Sequence, residues 1–206
     1  MPAAPEPTAF RYPTQRLERR HGPCGYADYV AFRPWLRDEF SFRCVYCLIR
    51  EQWGSVTAEF DLDHFVPQQL DPEKVDEYEN LLYACRACNL RKGSRVVPDP
   101  TAALTAANVR VYPDGTLVGV AADADKIIRL LCLNSRGWRR WRRTWIRIVE
   151  LASEHDHALH RELMGYPQDL PDLSACRAPE NTRPEGSDES HFAHRQRGHL
   201  PEILLS

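Results

Sequence analysis

The chain has 206 residues, with 27 Lys and Arg against 29 Asp and Glu and a formal net charge of −2. That length suits one ordinary domain with appendages, and the near balance of charge excludes a globally basic binder while leaving room for a local basic face. The most apolar run, 127–133, is broken by Arg129 and is far too short to cross a bilayer.

Residues 1–25 hold five prolines and lack the apolar core of a secretory signal, so they read as a mobile N-terminal arm on a soluble, cytoplasmic protein. In such a compartment the seven cysteines are metal ligands or buried thiols rather than disulfides. A short helix is expected from about Arg33, where Pro34 fits a first turn, with Trp35, Leu36 and Phe40 on its apolar side. Alternation over Val56–Leu62 predicts a strand that ends by presenting Asp63 and His64, and Pro67 stops it. Leu81-Leu82-Tyr83 feeds a short helix from Cys88, closed by Gly93.

Further on, Tyr112-Pro113-Asp114-Gly115-Thr116 marks a hairpin within 109–120. Asp123 caps a predicted helix running to about Leu133, which would bury Cys132. A second helix is expected over 137–153, with Trp138, Trp141, Trp145, Ile148 and Ala152 on its apolar stripe. Its other faces carry Arg136, Arg139, Arg140, Arg142, Arg143 and Arg147. The expected organisation is an arm at 1–25, a core domain at 26–98, a hairpin plus two helices at 99–166, and a mostly irregular polar tail at 167–206.

The chemistry concentrates between Cys44 and Arg95. Two Cys-x-x-Cys pairs, Cys44/Cys47 and Cys85/Cys88, predict a four-thiolate structural zinc site, because thiolate is soft and tetrahedral zinc takes four such ligands. Between them lies Asp63-His64, a carboxylate suited to a hard cation beside an imidazole suited to taking a proton near neutral pH.

Cys44-x-x-Cys47, Asp63-His64-x-x-Pro67, Asn80 and Cys85-x-x-Cys88-Asn89-x-x-Lys92 together resemble the zinc-bearing HNH endonucleases, with His64, Asn80 and Asn89 in an H-N-N variant. The resemblance implies an α+β protein: a ββα-metal nuclease core clipped by the four-Cys zinc site, followed by a hairpin and a helical C-terminal extension. It also implies hydrolysis of DNA phosphodiesters, leaving 3′-OH and 5′-phosphate. His64 would be the general base, Asn80 would orient its ring, and Asp63 and Asn89 would hold the catalytic cation. Since Asp63 and Asn89 offer only oxygens, that cation would be Mg²⁺ or Mn²⁺. Arg86, Arg91, Lys92 and Arg95 are candidate phosphate contacts, RNA remains open beside DNA, and the C-terminal extension is where a second copy or a partner protein would be held. The rival reading is a catalytically silent or partner-gated zinc-stabilised nucleic-acid-binding module.

Overall fold

The computed structural model describes residues 7–54, 59–176, 180–183 and 186–204. Its strands form three two-stranded antiparallel ribbons: β1 (Pro23–Cys24) with β6 (Glu180–Asn181), β2 (Phe60–His64) with β3 (Leu81–Cys85), and β4 (Val109–Val111) with β5 (Leu117–Gly119). The helices are α1 (Arg33–Glu39), α2 (Arg86–Lys92), α3 (Pro100–Ala103), α4 (Ala122–Leu130), α5 (Arg136–His155), α6 (His157–Met164) and α7 (His191–Gln196). Helices and small sheets are mixed, so the class is α+β.

The central unit is β2, β3 and α2. Register pairs Phe60 with Cys85 and His64 with Leu81, so the Asp63–His64 end of β2 lies beside the start of β3. Asp61 and Asp63 share the ribbon face that α2 covers, as a two-residue period requires, since Asp61 meets Asn89 and Asp63 meets Lys92. Helix α2 ends at Gly93, whose φ of +52° a side chain would resist. The strand expected from Val56 begins in residues 55–58, outside the described ones.

Helix α1 starts at Arg33 with Pro34 in its first turn, after a 3-10 turn capped by the Asp28 carboxylate. The β4–β5 hairpin forms around Asp114-Gly115 as expected. Helix α4 has Ala121 as its N-cap, so Asp123 sits inside the first turn and not at the cap. Cys132 lies beyond the end of α4 at φ +51° and is exposed, which corrects the expectation of a buried thiol. On α5 the three tryptophans pack against the core, but Ile148 is exposed and Ile146 and Val149 take the buried positions.

The arm expected to be mobile is packed from Ala9 onward. Phe10 and Tyr12 are buried, and Phe10 makes edge contacts with Trp53 at 5.2 Å and Trp141 at 5.6 Å between ring centroids. Trp53 in turn stacks on Trp145 at 4.6 Å. Farther along, Arg20 and His21 converge on the buried Asp38 of α1, which also accepts from the His191 backbone N–H. The carboxyl of Asp38 would be raised by its burial, but hydrogen bonds from His191 and His21 and the charge of Arg20 hold it well below the usual range. The tail, expected to be mostly irregular, holds β6 and α7 and is anchored: the Arg50 guanidinium donates to the Leu204 carbonyl at 2.6 Å and to that of Met164, at the end of α6, at 3.0 Å.

Candidate active site

Cys44, Cys47, Cys85 and Cys88 meet with their sulfurs all within 4.8 Å of one another, and all four are buried. The first pair sits in the turn after α1; the second spans the junction of β3 and α2. The Cys47 and Cys85 sulfurs are 3.7 Å apart. A tetrahedral ion with sulfur at about 2.3 Å would set that edge near ~3.8 Å. Burial pushes the Cys47 thiol well up, so a cation is what would make a closed cluster of thiolates tenable there. The donor set and its spacing fit a zinc-type ion.

At the Asp63–His64 end of the ribbon, a pocket of about 400 Å³ is lined by Asp63, His64, Gln68, Asn89, Lys92 and Tyr29, among others. His64 Nε2 lies 3.0 Å from the Val75 carbonyl. A carbonyl only accepts, so Nε2 carries the proton and Nδ1 is left as the acceptor. The Gln68 amide nitrogen is 3.2 Å from both ring nitrogens, and the Tyr29 ring meets the imidazole edge-on at 4.8 Å. Partial burial lowers the His64 pKa, opposed by its bond to Val75 and the charge of Asp63.

Asp63 is buried, and both of its oxygens are engaged. Oδ1 accepts from the Lys92 ammonium at 2.7 Å and Oδ2 from the Tyr46 hydroxyl at 2.7 Å. Burial raises the Asp63 carboxyl pKa, while Lys92 and Tyr46 act in the opposite direction. Tyr46 lies inside the first Cys-x-x-Cys and Lys92 lies four residues after Cys88, so each cysteine pair sends one side chain to Asp63. Asn89 donates through Nδ2 to Asp61 at 3.0 Å. Its Oδ1, the metal-type donor, has no protein partner among the described residues. Asp63 and Asn89 both line the pocket, and of their oxygens only Asn89 Oδ1 is without a protein partner among the described residues.

Two expectations change. Asn80 does not bond His64. Its amide accepts from Val66 N–H at 2.8 Å and donates to the Val66 and Lys74 carbonyls at 3.2 and 2.9 Å. It therefore pins both ends of the 66–74 loop, and the residue after that loop, Val75, supplies the carbonyl for His64. Lys92 is not a surface phosphate contact: it is 1 % exposed, and its ammonium is used by Asp63 and by the His64 carbonyl at 2.6 Å.

The other three basic candidates divide. Arg86 pairs with Glu59 and Asp61. Arg91 donates to the Leu131 and Cys132 carbonyls at 3.1 and 3.2 Å, closing the end of α4. Arg95 is exposed, with only its Nε turned to the Lys92 carbonyl. Tyr46, Gln68 and Asp61 are the site residues sequence reasoning did not assign. Tyr46 carried a signal in its place between two ligand cysteines, and Asp61 in its place on the strand face of Asp63.

The ββα unit thus carries one closed thiol cluster and one open pocket lined by carboxylate, amide and imidazole. Residues 44–95, about a quarter of the chain, match the family model described as HNH endonuclease. The chain therefore contains an HNH domain, and its four-cysteine cluster is consistent with a zinc-bearing member. That domain points to nuclease activity in general and to a nucleic-acid substrate. No curated protein matches the chain. Among the described residues no helix is long and apolar enough to cross a membrane.

Proposed function

We propose that this protein is a metal-dependent endonuclease that hydrolyses DNA phosphodiester bonds in the Asp63–His64–Asn89 pocket. The observation that carries this reading is the commitment of His64 Nε2 to the Val75 carbonyl beside two oxygen donors in one pocket. It leaves Nδ1 as the accepting nitrogen of the ring, so the Gln68 amide beside it must give way to the attacking water.

In this reading Nδ1 takes a proton from water as the water oxygen bonds to phosphorus and the bond from phosphorus to the 3′ oxygen breaks. The Val75 carbonyl steadies the imidazolium that results, and Asn80 acts through the loop to keep that carbonyl in place. Asp63 and Asn89 would hold Mg²⁺ or Mn²⁺, which when bound supplies positive charge for the phosphoryl and leaving oxygens. Asp61 orients Asn89 by taking its amide N–H, so that Oδ1 faces the ion. Zinc occupies the four cysteines in this reading and holds the ribbon to α2. Free thiols gathered for a metal suit the reducing cytoplasm.

One observation favours a gated variant of the same function. The Lys92 ammonium sits on the carboxylate that would hold the cation, so full activity would require Asp63 to share its oxygens. The experiment is cleavage of supercoiled plasmid by the zinc-loaded protein with Mg²⁺ or Mn²⁺, beside His64→Ala and an EDTA control. Nicking that needs the cation and disappears in the variant is the expected result. A folded, zinc-bound protein that binds DNA without cutting would overturn the enzyme in favour of the binding module.

A further inference from the structure

Helix α5 lies outside the segment matched to the HNH family. Its arginines follow two separate logics. Arg142 is buried and donates to the Gly115 and Leu133 carbonyls, joining α5 to the hairpin and to the end of α4. Arg136, Arg140, Arg143 and Arg147 are exposed on the opposite side. At 3.6 residues per turn they fall in an arc of about 60°, as a straight row about 17 Å long.

No carboxylate pairs with any of the four among the described residues, although Arg16, Arg37, Arg86 and Arg129 all have acidic partners. The row also opposes local helix preferences. Arg136/Arg140 and Arg143/Arg147 are like-charge neighbours at four-residue spacing, and the first turn of α5 has no acid to meet the helix dipole. Glu150 and Glu154 end the row on the same face. The other face of α5 meets the HNH domain, where the Arg91 guanidinium lies 6.0 Å from the centre of the Trp138 ring, so the row is turned outward from that contact.

We infer that this row is a docking rail for the phosphate backbone of a nucleic-acid duplex, independent of sequence. A rigid line of unpaired guanidiniums complements the closely spaced phosphates of a duplex and carries no base-reading group. The inference rests on the nucleic-acid reading above and adds the surface that holds the substrate.

The test is fluorescence anisotropy with a 30-base-pair duplex of mixed sequence and its single strand, across a salt series. The protein is zinc-loaded full chain carrying His64→Ala, so nothing is cut. In that background, changing Arg136, Arg140, Arg143 and Arg147 to Gln should weaken duplex binding and flatten log K against log salt by about 0.9 per lost phosphate contact. A milder pair, R140Q/R143Q, should flatten it by about half as much and guards against a folding defect, which a thermal melt reports. A well-folded quadruple variant with unchanged affinity and slope would overturn the rail, leaving the row to an acidic protein partner. Loss confined to the single strand would also overturn it. Plasmid cleavage that survives in the quadruple variant at low salt would sink the rail without touching the proposed nuclease.

Discussion

The four-thiol cluster and the Asp63–His64–Asn89 pocket are built on the same ribbon and helix, yet their surroundings are opposite. The cysteines are sealed and offer donors of one kind. The pocket is open on one side and lined by carboxylate, imidazole, amide and ammonium. A closed site of identical soft donors can only hold, whereas an open site of mixed donors can hold and exchange. The two meet through Tyr46 and Lys92, which run from the two cysteine pairs to the two oxygens of Asp63. The sealed site thereby sets the position of the carboxylate in the open one.

The comparison breaks most completely if the sealed site is emptied. Structural zinc contributes roughly 10–16 kcal/mol in small peptides, against a typical domain stability of about 5–15 kcal/mol. Chelation or Cys88→Ser should therefore abolish the cooperative thermal melt, and with it the pocket. His64→Ala should leave the melt and the zinc content alone and reduce cleavage by about 10²–10⁴, measured on supercoiled plasmid. Unchanged cutting would remove His64 from the chemistry.

Lys92→Met tests the link between the sites. It strands a buried carboxylate, and a loss of about 3–5 kcal/mol by urea denaturation is expected. Adding Asp63→Asn should return part of that loss, since the two effects are not independent. The smallest effect should come from Tyr46→Phe, which removes one hydrogen bond to a charged group, worth about 1.5–3 kcal/mol. Zinc content should stay intact while cleavage falls. A Tyr46→Phe protein with full stability and activity would mean that the two sites merely share a scaffold.

Much of this arrangement was legible in the residues, because the determinants are local. Cys-x-x-Cys spacing, alternation into Asp63-His64, Gly93 after α2 and Asp114-Gly115 in the hairpin act over a few positions each. What escaped was set by partners far along the chain. Phe10 and Tyr12 sit among prolines with no periodicity, and only Trp53 and Trp141 make a core position there. Lys92 and Arg142 look like surface charges by composition, but one turns in to Asp63 and the other to two backbone carbonyls. Asn80 was found by motif, yet its amide serves a loop and reaches His64 through Val75, a link with no spacing of its own.

The aromatic stack of Phe10, Trp53 and Trp145 has a consequence for how this domain can travel between genes. Trp53 lies inside the 44–95 segment, and its ring partners Phe10, Trp141 and Trp145 all lie outside it. A recombination event that lifted out the family segment alone would carry an unshielded indole and an orphaned Arg50 into its new host. Here the heritable unit is larger than the signature: the arm, the knuckles and α5 must move together or the transplanted piece arrives with its core open.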